Sequence, residues 1–361
     1  MKLVTVVGAR PQFVKAAAVS RKLREHHREI LVHTGQHYDY QMSGIFFDGL
    51  GLPKPEINLG VGSGTHSYQT AAMLQGIENL LLAELPDCVL IYGDTNSTLA
   101  AALAASKLLI PVAHIEAGLR SFNRSMPEEI NRVVADHLSD LLLCPSNTAV
   151  DNLAAEGLSK NVHIVGDVMF DILKCVRPQV ENNRDVLDRL KLREKAYLLV
   201  TVHRSENTDN VARLVTLLDA FNSIDEPIVF PVHPRTRKVI SEIRFQPKAN
   251  VELLEPLGFV DMVTLSAHAR MILTDSGGLQ KEAYWLGVPC LTLRNETEWI
   301  ETVETGWNLL VGANATRILE GVRHLHPLSP QPPLYGDGTA ADKCVDLISS
   351  TLEPDRLLER P

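Results

Sequence analysis

The stretch "VVGARPQFVKAAAV", residues 6–19, runs from an apolar strand through a turn into an alanine-rich helix. Arg10 lies at the turn, and Lys15 follows a little more than one helical turn later. The amino end of a helix carries a partial positive charge, so cations are stable there only when an anion joins them. The stretch therefore predicts a strand–turn–helix unit that binds an anionic ligand.

The length and charge of the chain limit the possible classes of protein. At 361 residues the chain is too long for one ordinary core, so we expect two domains. The net charge of −9 argues against a general nucleic-acid binder and against a binder of anionic membranes. A local basic site in an acidic protein suits a small anionic ligand better.

The cysteines and the apolar runs predict a cytoplasmic protein. The five cysteines are scattered and form no CxxC pair, which is typical of reduced thiols. The first strand follows a single lysine, so no signal peptide is expected. No apolar run approaches the roughly 20 residues that span a bilayer.

Short β-branched runs alternate with helical periodicity along the whole chain. This pattern predicts parallel sheets with right-handed crossovers, in two Rossmann-like, doubly wound domains with a cleft between them. We place the first domain at residues 1–167 and the second at 168–340, with ligands at the carboxyl ends of the strands. The predicted strands are 2–7, 29–34, 88–92, 111–115, 140–144 and 162–165, then 197–203, 227–232, 250–254, 270–274, 289–293 and 307–311.

In the first domain, acidic residues follow the predicted strands. Asp94 lies in "YGDTNST", Glu116 in "HIEAGLRS", and Glu128 and Glu129 in the first turn of the helix that Pro127 opens. Each acid also has a structural interpretation, because aspartate caps helices and glutamate stabilises the helix dipole. Their recurrence at several strand ends favours general acid–base chemistry.

In the second domain, the strand ends carry basic residues and a small-residue turn. "TVHRSEN" supplies His203 and Arg204, whereas His233, which precedes a proline, is interpreted as structural. In "TDSGGLQKEA", residues 274–283, we expect free amides at Ser276, Gly277 and Gly278 to approach a phosphate closely. Glu282, about one turn into the following helix, is placed for a neutral diol such as a ribose.

Several common ligand motifs do not occur in the chain. No GxGxxG follows a strand, no GxxxxGK[ST] is found, and no His/Cys cluster has zinc spacing. We therefore predict no metal and no cofactor. The remaining groups suit proton transfer next to a leaving diphosphate.

Seven motifs in order along the chain resemble the non-hydrolysing UDP-N-acetylglucosamine 2-epimerase family. The resemblance implies a GT-B fold whose C-terminal helix, near 341–361, returns to the first domain. It also implies interconversion of UDP-GlcNAc and UDP-ManNAc for bacterial surface polysaccharides, and we expect a homodimer. The motifs are "GARPQFVK", "GDTNSTLAAALAA", "HIEAGLRS", "PEEINR", "TVHRSEN", "TDSGGLQKEA" and "YGDG".

The resemblance also implies roles for individual residues. In the family's route, a base removes the C2 proton as UDP leaves, and UDP then adds back to a 2-acetamidoglucal with protonation on the opposite face. Which carboxylate is base and which is acid stays open. The predicted catalytic residues are Asp94, Glu116, Glu128 and His203, and the predicted substrate contacts are Arg10, Lys15, Met262, Ser276, Gly277, Gly278 and Glu282.

Two departures from the family pattern bear on the sugar. Gln12 stands where glutamate is usual, and Trp299-Ile300 stands where Arg-Pro is usual. Both resemble the subgroup that acts on UDP-2,3-diacetamido-2,3-dideoxyglucuronate for O-antigen synthesis, where a neutral Gln12 avoids repulsion of the sugar carboxylate. That carboxylate needs a cationic partner, for which the candidates are Arg120, Arg124 and Arg204. The alternative is neutral drift in a UDP-GlcNAc enzyme.

Three other functions use similar residues. A GT-B glycosyltransferase has the same type of nucleotide site but needs fewer acids in the first domain. A hydrolysing 2-epimerase releases UDP and ManNAc, and a nucleotide-sugar sensor binds without exchanging the C2 proton.

Overall fold

The computed structural model describes residues 1–36, 53–182 and 184–352, and the side chains of Arg10 and Asn182 lie outside this description. The chain divides into two compact units. Unit 1 comprises Met1–Lys174 and Pro333–Pro361, and unit 2 comprises Cys175–Pro332.

Unit 1 contains a seven-stranded sheet in which the paired strands are parallel. Its strands are β1 (Lys2–Val7), β2 (Arg28–His33), β3 (Ile57–Asn58), β4 (Cys88–Tyr92), β5 (Val112–Ile115), β6 (Leu141–Cys144) and β7 (Val162–Ile164). They lie in the order β3-β2-β1-β4-β5-β6-β7. The helices between and after them are α1 (Arg10–His26), α2 (His66–Glu84), α3 (Asn96–Lys107), α4 (Pro127–Leu138), α5 (Asn147–Ala155) and α6 (Val168–Asn182).

Unit 2 contains a six-stranded parallel sheet. Its strands are β8 (Leu198–Thr201), β9 (Ile228–Pro231), β10 (Val251–Leu254), β11 (Met271–Thr274), β12 (Cys290–Thr292) and β13 (Asn308–Leu310), in the order β10-β9-β8-β11-β12-β13. Its helices are α7 (Asp185–Arg189), α8 (Ser205–Thr208), α9 (Val211–Asn222), α10 (Pro234–Glu242), α11 (Phe259–His268), α12 (Gly277–Trp285), α13 (Ile300–Glu304) and α14 (Ala315–His324). The last described helix, α15 (Ala340–Leu352), belongs to unit 1.

The predicted fold class is confirmed by these two sheets. Each predicted strand begins and ends within two residues of an observed one, whereas the two-residue β3 was not predicted because it is too short to show a pattern. In each sheet the strands that follow the first one are added on one side of it and then on the other. The order of the strands therefore switches between β1 and β4 and between β8 and β11. Ligands of doubly wound sheets bind at the carboxyl ends of the strands at such a point.

The apolar cores explain why the strands are continuous runs of Val, Ile and Leu. Strands β1 and β4 contribute Val4, Val6, Val89 and Ile91 to the core of unit 1, and all four are fully buried. Buried alanines of α3 pack in the same cluster, which allows the helix to lie close to the sheet. Within the described ranges, no helix is both long and apolar enough to span a membrane.

The division between the units lies within α6, seven residues beyond the predicted boundary at 167/168. The first turns of α6 are bonded to the returning chain of unit 1. The amide of Asp167 donates to the carbonyl of Tyr335 at 2.8 Å, and the carboxylate of Asp171 accepts from the amides of Ala340 and Ala341 at 3.2 and 2.7 Å. These bonds attach both segments to unit 1.

The carboxylate of Asp171 replaces the missing partners of two amides at the start of α15. We expect Asp171→Ala to weaken the attachment of α15 by about 1–2 kcal/mol, as the loss of a helix cap does. Hydrogen exchange of the α15 amides measures this opening free energy. Asp342→Ala on the same helix removes an exposed ion pair with Lys22 and serves as the control, expected to cost less than about 1 kcal/mol. Equal effects of the two substitutions would contradict this role of Asp171.

Candidate active site

Gln12 links the turn after β1 to the end of β4. Its side chain is buried; Oε1 accepts from the amides of Gly8 and Ala9 at 2.8 and 3.1 Å. Nε2 donates to the carbonyl of Tyr92 at 2.8 Å and to Oγ1 of Thr98 at 3.0 Å. Because a carboxylate cannot donate these last two bonds, the amide is explained by its local partners rather than by a charge on the sugar.

The two predicted cations of the opening stretch lie on α1. Arg10 is the first residue of the helix, and its side chain lies outside the described part of the chain. Lys15 is buried, and its Nζ forms an ion pair with Oε2 of Glu116, with each side chain only 9% exposed. A predicted substrate contact and a predicted catalytic acid are therefore direct partners.

The turn after β4 fits closely around this ion pair. Gly93 has φ +59°, and a Cβ at its position would lie 2.9 Å from Oε2 of Glu116 and 3.2 Å from Nζ of Lys15. Glu116 itself has φ +69°, an uncommon backbone conformation for a residue other than glycine. Such conformations persist only where the surrounding structure fixes them, and here they aim the carboxylate back over the turn.

Asp94, the residue after Gly93, is held from α4. Its Oδ2 accepts from Nη2 of Arg132 at 2.5 Å, and its carbonyl accepts from Nδ2 of Asn131 at 2.9 Å. Nη1 of Arg132 also donates to Oε2 of Glu129 at 2.9 Å. One buried guanidinium therefore bridges the predicted catalytic Asp94 and the first turn of α4.

The two glutamates in the first turn of α4 have different environments. Glu129 is buried and accepts bonds from the amides of Ser121 and Phe122. Burial raises the pKa of Glu129, but the bonds from Ser121 and Arg132 outweigh it and hold the pKa below the usual 4.5. Glu128 is half-buried beside it. Glu129 therefore supports the loop, while Glu128 is the accessible acid of the pair.

Arg120 is not available to a sugar carboxylate, so that candidate was wrong. Its guanidinium is buried and donates to both carboxylate oxygens of Glu156, at 2.7 and 2.8 Å, and to Oδ2 of Asp136 at 2.7 Å. Arg124, by contrast, is exposed. A cation that already has two carboxylates is satisfied within the protein.

In unit 2, a buried aspartate organises the turn after β8. The carboxylate of Asp275 accepts from the amides of His203 and Arg204 at 3.0 Å and from Nδ2 of Asn207 at 3.0 Å. Nδ1 of His203 lies 3.3 Å from the same carboxylate, with the side chain 35% exposed. These bonds fix the two basic residues of "TVHRSEN" at the carboxyl end of β8.

The helix α12 begins at the predicted phosphate turn. Gly277 and Gly278 are its first two residues, whose amides have no partner within a helix. The expectation of a free amide at Ser276 was wrong, because this amide donates to Oγ1 of Thr274 at 2.9 Å, while the Ser276 side chain caps the helix. The two glycine amides therefore remain as the donors for an anion.

Aromatic and cationic side chains surround the start of α12. A Cβ at Gly277 would lie 3.2 Å from Nε1 of Trp299 and 3.8 Å from Nη2 of Arg204. Nζ of the buried Lys281 lies 3.8 Å from the centroid of the Trp299 ring, within the range of a cation–π contact. Trp299, the departure from the family pattern, therefore covers a buried ammonium beside the predicted diphosphate site.

The structure places the remaining predicted residues of unit 2 on neighbouring elements. Met262 and Glu282 are partly buried, on α11 and α12, and Met262 packs against an apolar cluster. His233 caps α10 through Nδ1, as its structural interpretation requires, and its ring centroid lies 5.7 Å from that of His203. The described residues contain no group of three or more His, Cys, Asp or Glu that could hold a metal.

Sequence reasoning missed the residues that hold the site together. Arg132, Asp275 and Lys281 all lie within quoted motifs, yet none was assigned a role. A signal existed for Arg132, because "PEEINR" places Glu129 and Arg132 three residues apart on a helix. For Asp275 and Lys281 the partners lie far away in sequence, and no local spacing reveals them.

Comparison with known proteins decides the family. The sequence model of the family described as UDP-N-acetylglucosamine 2-epimerase matches residues 21–349. The chain belongs to this family. A member in Methanococcus maripaludis, named a UDP-N-acetylglucosamine 2-epimerase homolog, is 52% identical over 96% of this chain and 99% of its own. The UDP-2,3-diacetamido-2,3-dideoxy-D-glucuronate 2-epimerase of Pseudomonas aeruginosa is 45% identical over 97% of this chain and 99% of its own.

Solved structures agree with this family assignment. The UDP-GlcNAc 2-epimerase of Methanocaldococcus jannaschii, in complex with UDP-GlcNAc and UDP, matches with a TM-score of 0.92 at 41% identity, covering 97% of this chain and 100% of that one. The calicheamicin glycosyltransferase CalG4 matches with a TM-score of 0.50 at 15% identity, over 99% and 96% of the two chains, which shows the fold alone. The predicted GT-B fold and the predicted enzyme class, an isomerase, are confirmed.

The contact of Gly93 with the Lys15–Glu116 pair predicts a large cost for any side chain at this turn. We expect Gly93→Ala to lower the free energy of unfolding by about 3 kcal/mol or more, because it separates a buried ion pair in addition to straining the backbone. Gly157→Ala is the control, since Gly157 has φ +82° but nothing within 4 Å of a Cβ. It should cost about 1 kcal/mol. Urea unfolding of both variants measures the difference, and equal costs would show that backbone strain alone acts at Gly93.

The lowered pKa of Glu129 predicts a pH-dependent contribution to stability. A carboxyl whose folded pKa lies below its unfolded value stabilises the protein above the unfolded pKa, and this contribution is lost as the pH falls through the folded pKa. The gap in unfolding free energy between the natural chain and Glu129→Gln should therefore be largest at neutral pH and shrink below about pH 4.5. Urea titrations at several pH values measure it. Glu25→Gln, at an exposed position of α1, controls for the change in net charge. A gap independent of pH would contradict the assignment.

Proposed function

We propose that this protein inverts C2 of a UDP-2-acetamido sugar by eliminating UDP and adding it back, without net hydrolysis. The observation that carries the proposal is the group of acids in unit 1. Asp94 follows β4, Glu116 follows β5, and Glu128 lies in the first turn of α4. The contacts of Gly93 and Arg132 join these three elements. The names of the relatives, all 2-epimerases of UDP-sugars, support the same reaction.

The chemistry of C2 explains why several acids are needed. The C2 hydrogen of a UDP-hexosamine is not next to a carbonyl, so its removal requires that UDP leave from C1. A base takes the proton as the C1–O bond breaks, and the electron pair forms the double bond of a 2-acetamidoglucal. Re-addition of UDP and protonation from the opposite face give the epimer. A positioned acid or base contributes about 10²–10⁴-fold to such a step.

Unit 2 provides the groups that suit the UDP part of the substrate. The amides of Gly277 and Gly278 open α12, and the guanidinium of Arg204 lies beside them. A helix amino terminus with a nearby cation stabilises a diphosphate, both as part of the substrate and as the leaving group. His203, fixed by Asp275, is the proposed further contact. Tight retention of UDP is what distinguishes this reaction from hydrolysis.

Three properties of the protein stay predictions from the sequence: its cytoplasmic location, its assembly as a homodimer and its role in surface polysaccharide synthesis. The first is supported by Cys88, Cys144, Cys290 and Cys344, which are buried and form no disulfide.

Proton exchange with solvent tests the reaction directly. In D2O, we expect deuterium at C2 of the epimerised UDP-sugar while UDP stays attached, because the proton added back comes from an acid that exchanges with water. NMR of C2 and of free UDP measures both for UDP-GlcNAc and for the diacetamido-glucuronate nucleotide. Glu128→Gln should lower the rate by about 10²-fold or more. Glu25→Gln, the same change on an exposed face, is the matched control.

Two outcomes would contradict this proposal. Free UDP in amounts equal to the product would identify a hydrolysing enzyme. Transfer of the sugar only when an acceptor is added would identify a glycosyltransferase.

A uronic acid nucleotide is a second candidate substrate, because the Pseudomonas aeruginosa relative is named for one. The sugar carboxylate then needs a cation, and a buried carboxylate without one costs several kcal/mol. Arg120 is already paired, and Arg204 lies beside the proposed diphosphate site. Arg124 is exposed on the loop between Glu116 and Glu128, which makes it the proposed partner.

Arg124→Gln tests the choice of sugar. If Arg124 pairs with a uronate, the substitution should lower kcat/KM for the uronate nucleotide by roughly tenfold or more, equivalent to about 1.4 kcal/mol, and leave kcat/KM for UDP-GlcNAc unchanged. Arg21→Gln, on an exposed part of α1, is the control. A natural enzyme that turns over UDP-GlcNAc as well as the uronate nucleotide, or better, would eliminate the uronate assignment.

A further inference from the structure

His114 lies in the middle of β5 and is fully buried. Both of its ring nitrogens have close polar neighbours. Nδ1 lies 2.7 Å from Oδ1 of Asp136 on α4, and Nε2 lies 2.8 Å from the carbonyl oxygen of Gly93. His114 is neither one of the proposed catalytic acids nor a proposed UDP contact.

The partners of His114 determine where its protons are. A carbonyl oxygen only accepts, so Nε2 carries a hydrogen. The other oxygen of Asp136 already accepts from the amide of Gly118 at 3.1 Å and from Nη1 of Arg120 at 2.7 Å. Burial raises the pKa of Asp136, but the bonds from His114 and Arg120 outweigh it and hold the pKa below its usual 3.8. The bonds from the Gly118 amide and the Arg120 guanidinium stabilise the ionised carboxylate of Asp136, so Nδ1 of His114 also donates.

The charges around the ring compensate one another. The imidazolium of His114 contacts Asp136, and Asp136 contacts Arg120. Arg120 also pairs with Glu156, the first residue after α5. Cys144 of β6 also lies near Asp136, and burial raises its pKa to about 12, so the thiol is neutral. Two cations and two anions thus balance in charge, and the network is buried except at Glu156, whose side chain is 26% exposed and lies 3.7 Å from Nδ1 of His137. Such a network is stable only when every member is bonded.

The two bonds of His114 join the elements that carry the three proposed catalytic acids. Gly93 precedes Asp94, and its amide also donates to the carbonyl of Ile115 at 3.0 Å. Ile115 in turn precedes Glu116. Asp136 lies on α4, whose first turn contains Glu128. A movement of the ring therefore shifts the turn after β4, the end of β5 and α4 relative to one another.

We propose that His114 is a positioning residue, a buried imidazolium that sets the relative placement of Asp94, Glu116 and Glu128. This inference rests on the proposed epimerase reaction. Base and acid act on opposite faces of one sugar ring, and a misplacement of about 1 Å can cost roughly 10²-fold in rate. Neutral histidine has one N–H, and glutamine carries both of its N–H groups on one nitrogen, so neither can bond acceptors that lie beside two different ring nitrogens.

The protonation state is tested on the natural chain, independently of activity. With 15N-labelled histidine, NMR at neutral pH should show two slowly exchanging ring N–H signals from His114, assigned by their loss in His114→Gln. In Asp136→Asn one of the two signals should disappear. A single N–H signal from His114 in the natural chain would overturn the proposed imidazolium.

The positioning role is tested by the kinetics of His114→Gln. We expect kcat to fall at least about tenfold while KM for the UDP-sugar changes much less, because the proposed UDP contacts Gly277, Gly278 and Arg204 lie in unit 2. We also expect the ratio of C2 deuterium exchange to completed epimerisation to change, because the base and the acid no longer have their natural placement relative to each other. His33→Gln is the matched control. His33 is also buried in this sheet, but it bonds the amide of Gly35 and stacks on Phe13.

The outcomes separate the inference from the proposed function. Unchanged kcat and exchange ratio in His114→Gln, or equal losses in His33→Gln, would overturn the positioning role. If His114→Gln does not fold, Asp136→Asn takes its place, and kcat must fall in that variant for the role to stand. A natural chain that epimerises neither sugar would refute the proposed function, whereas the two N–H signals would still be observed.

Discussion

The buried ion pair between Lys15 and Glu116 is the interaction on which the candidate site of unit 1 depends. Removing two charges from water is costly, and the cost is recovered only with close geometry and further bonds. Three features supply that geometry: the first turns of α1 bring Lys15 to the end of β1, Gly93 leaves the space for the pair, and Glu116 adopts a positive φ. The network of His114 fixes Gly93 from the other side.

Unit 2 also depends on a buried charged group, but the groups that it positions are basic rather than acidic. Here a buried acid, Asp275, holds the turn that carries His203 and Arg204, so that basic groups rather than acids are presented at the strand ends. The start of α12 adds two helix amides, and Lys281 under the Trp299 ring adds a further cation. Six strands of the first sheet have the same order as the six of the second, but unit 1 presents groups proposed for proton transfer and unit 2 presents groups proposed for a diphosphate.

The strands, the fold and the ends that carry chemistry could be predicted from the sequence, because each depends on local pattern and on the rule that ligands bind at strand carboxyl ends. Side-chain partners could not. Gln12 and Arg120 looked like residues that face the sugar, yet both are saturated by bonds to residues that local spacing does not reveal. For His114 the sequence suggested too little rather than too much. A histidine two positions before Glu116 is interpreted as an ordinary strand residue until its partners Asp136 and Gly93 are known.

The central claim is that UDP leaves C1 and returns while it remains bound. Positional isotope exchange tests it most directly, using UDP-sugar with 18O in the bridge between C1 and the β-phosphorus. UDP that has separated from C1 but is still bound to the enzyme can rotate its terminal phosphate before re-addition. 31P NMR should therefore show 18O moving into non-bridging positions as epimerisation proceeds. Complete epimerisation with the label still in the bridge, and with neither UDP nor 2-acetamidoglucal in the reaction quenched during turnover, would contradict the account, because C2 would then have been inverted without breaking the C1–O bond.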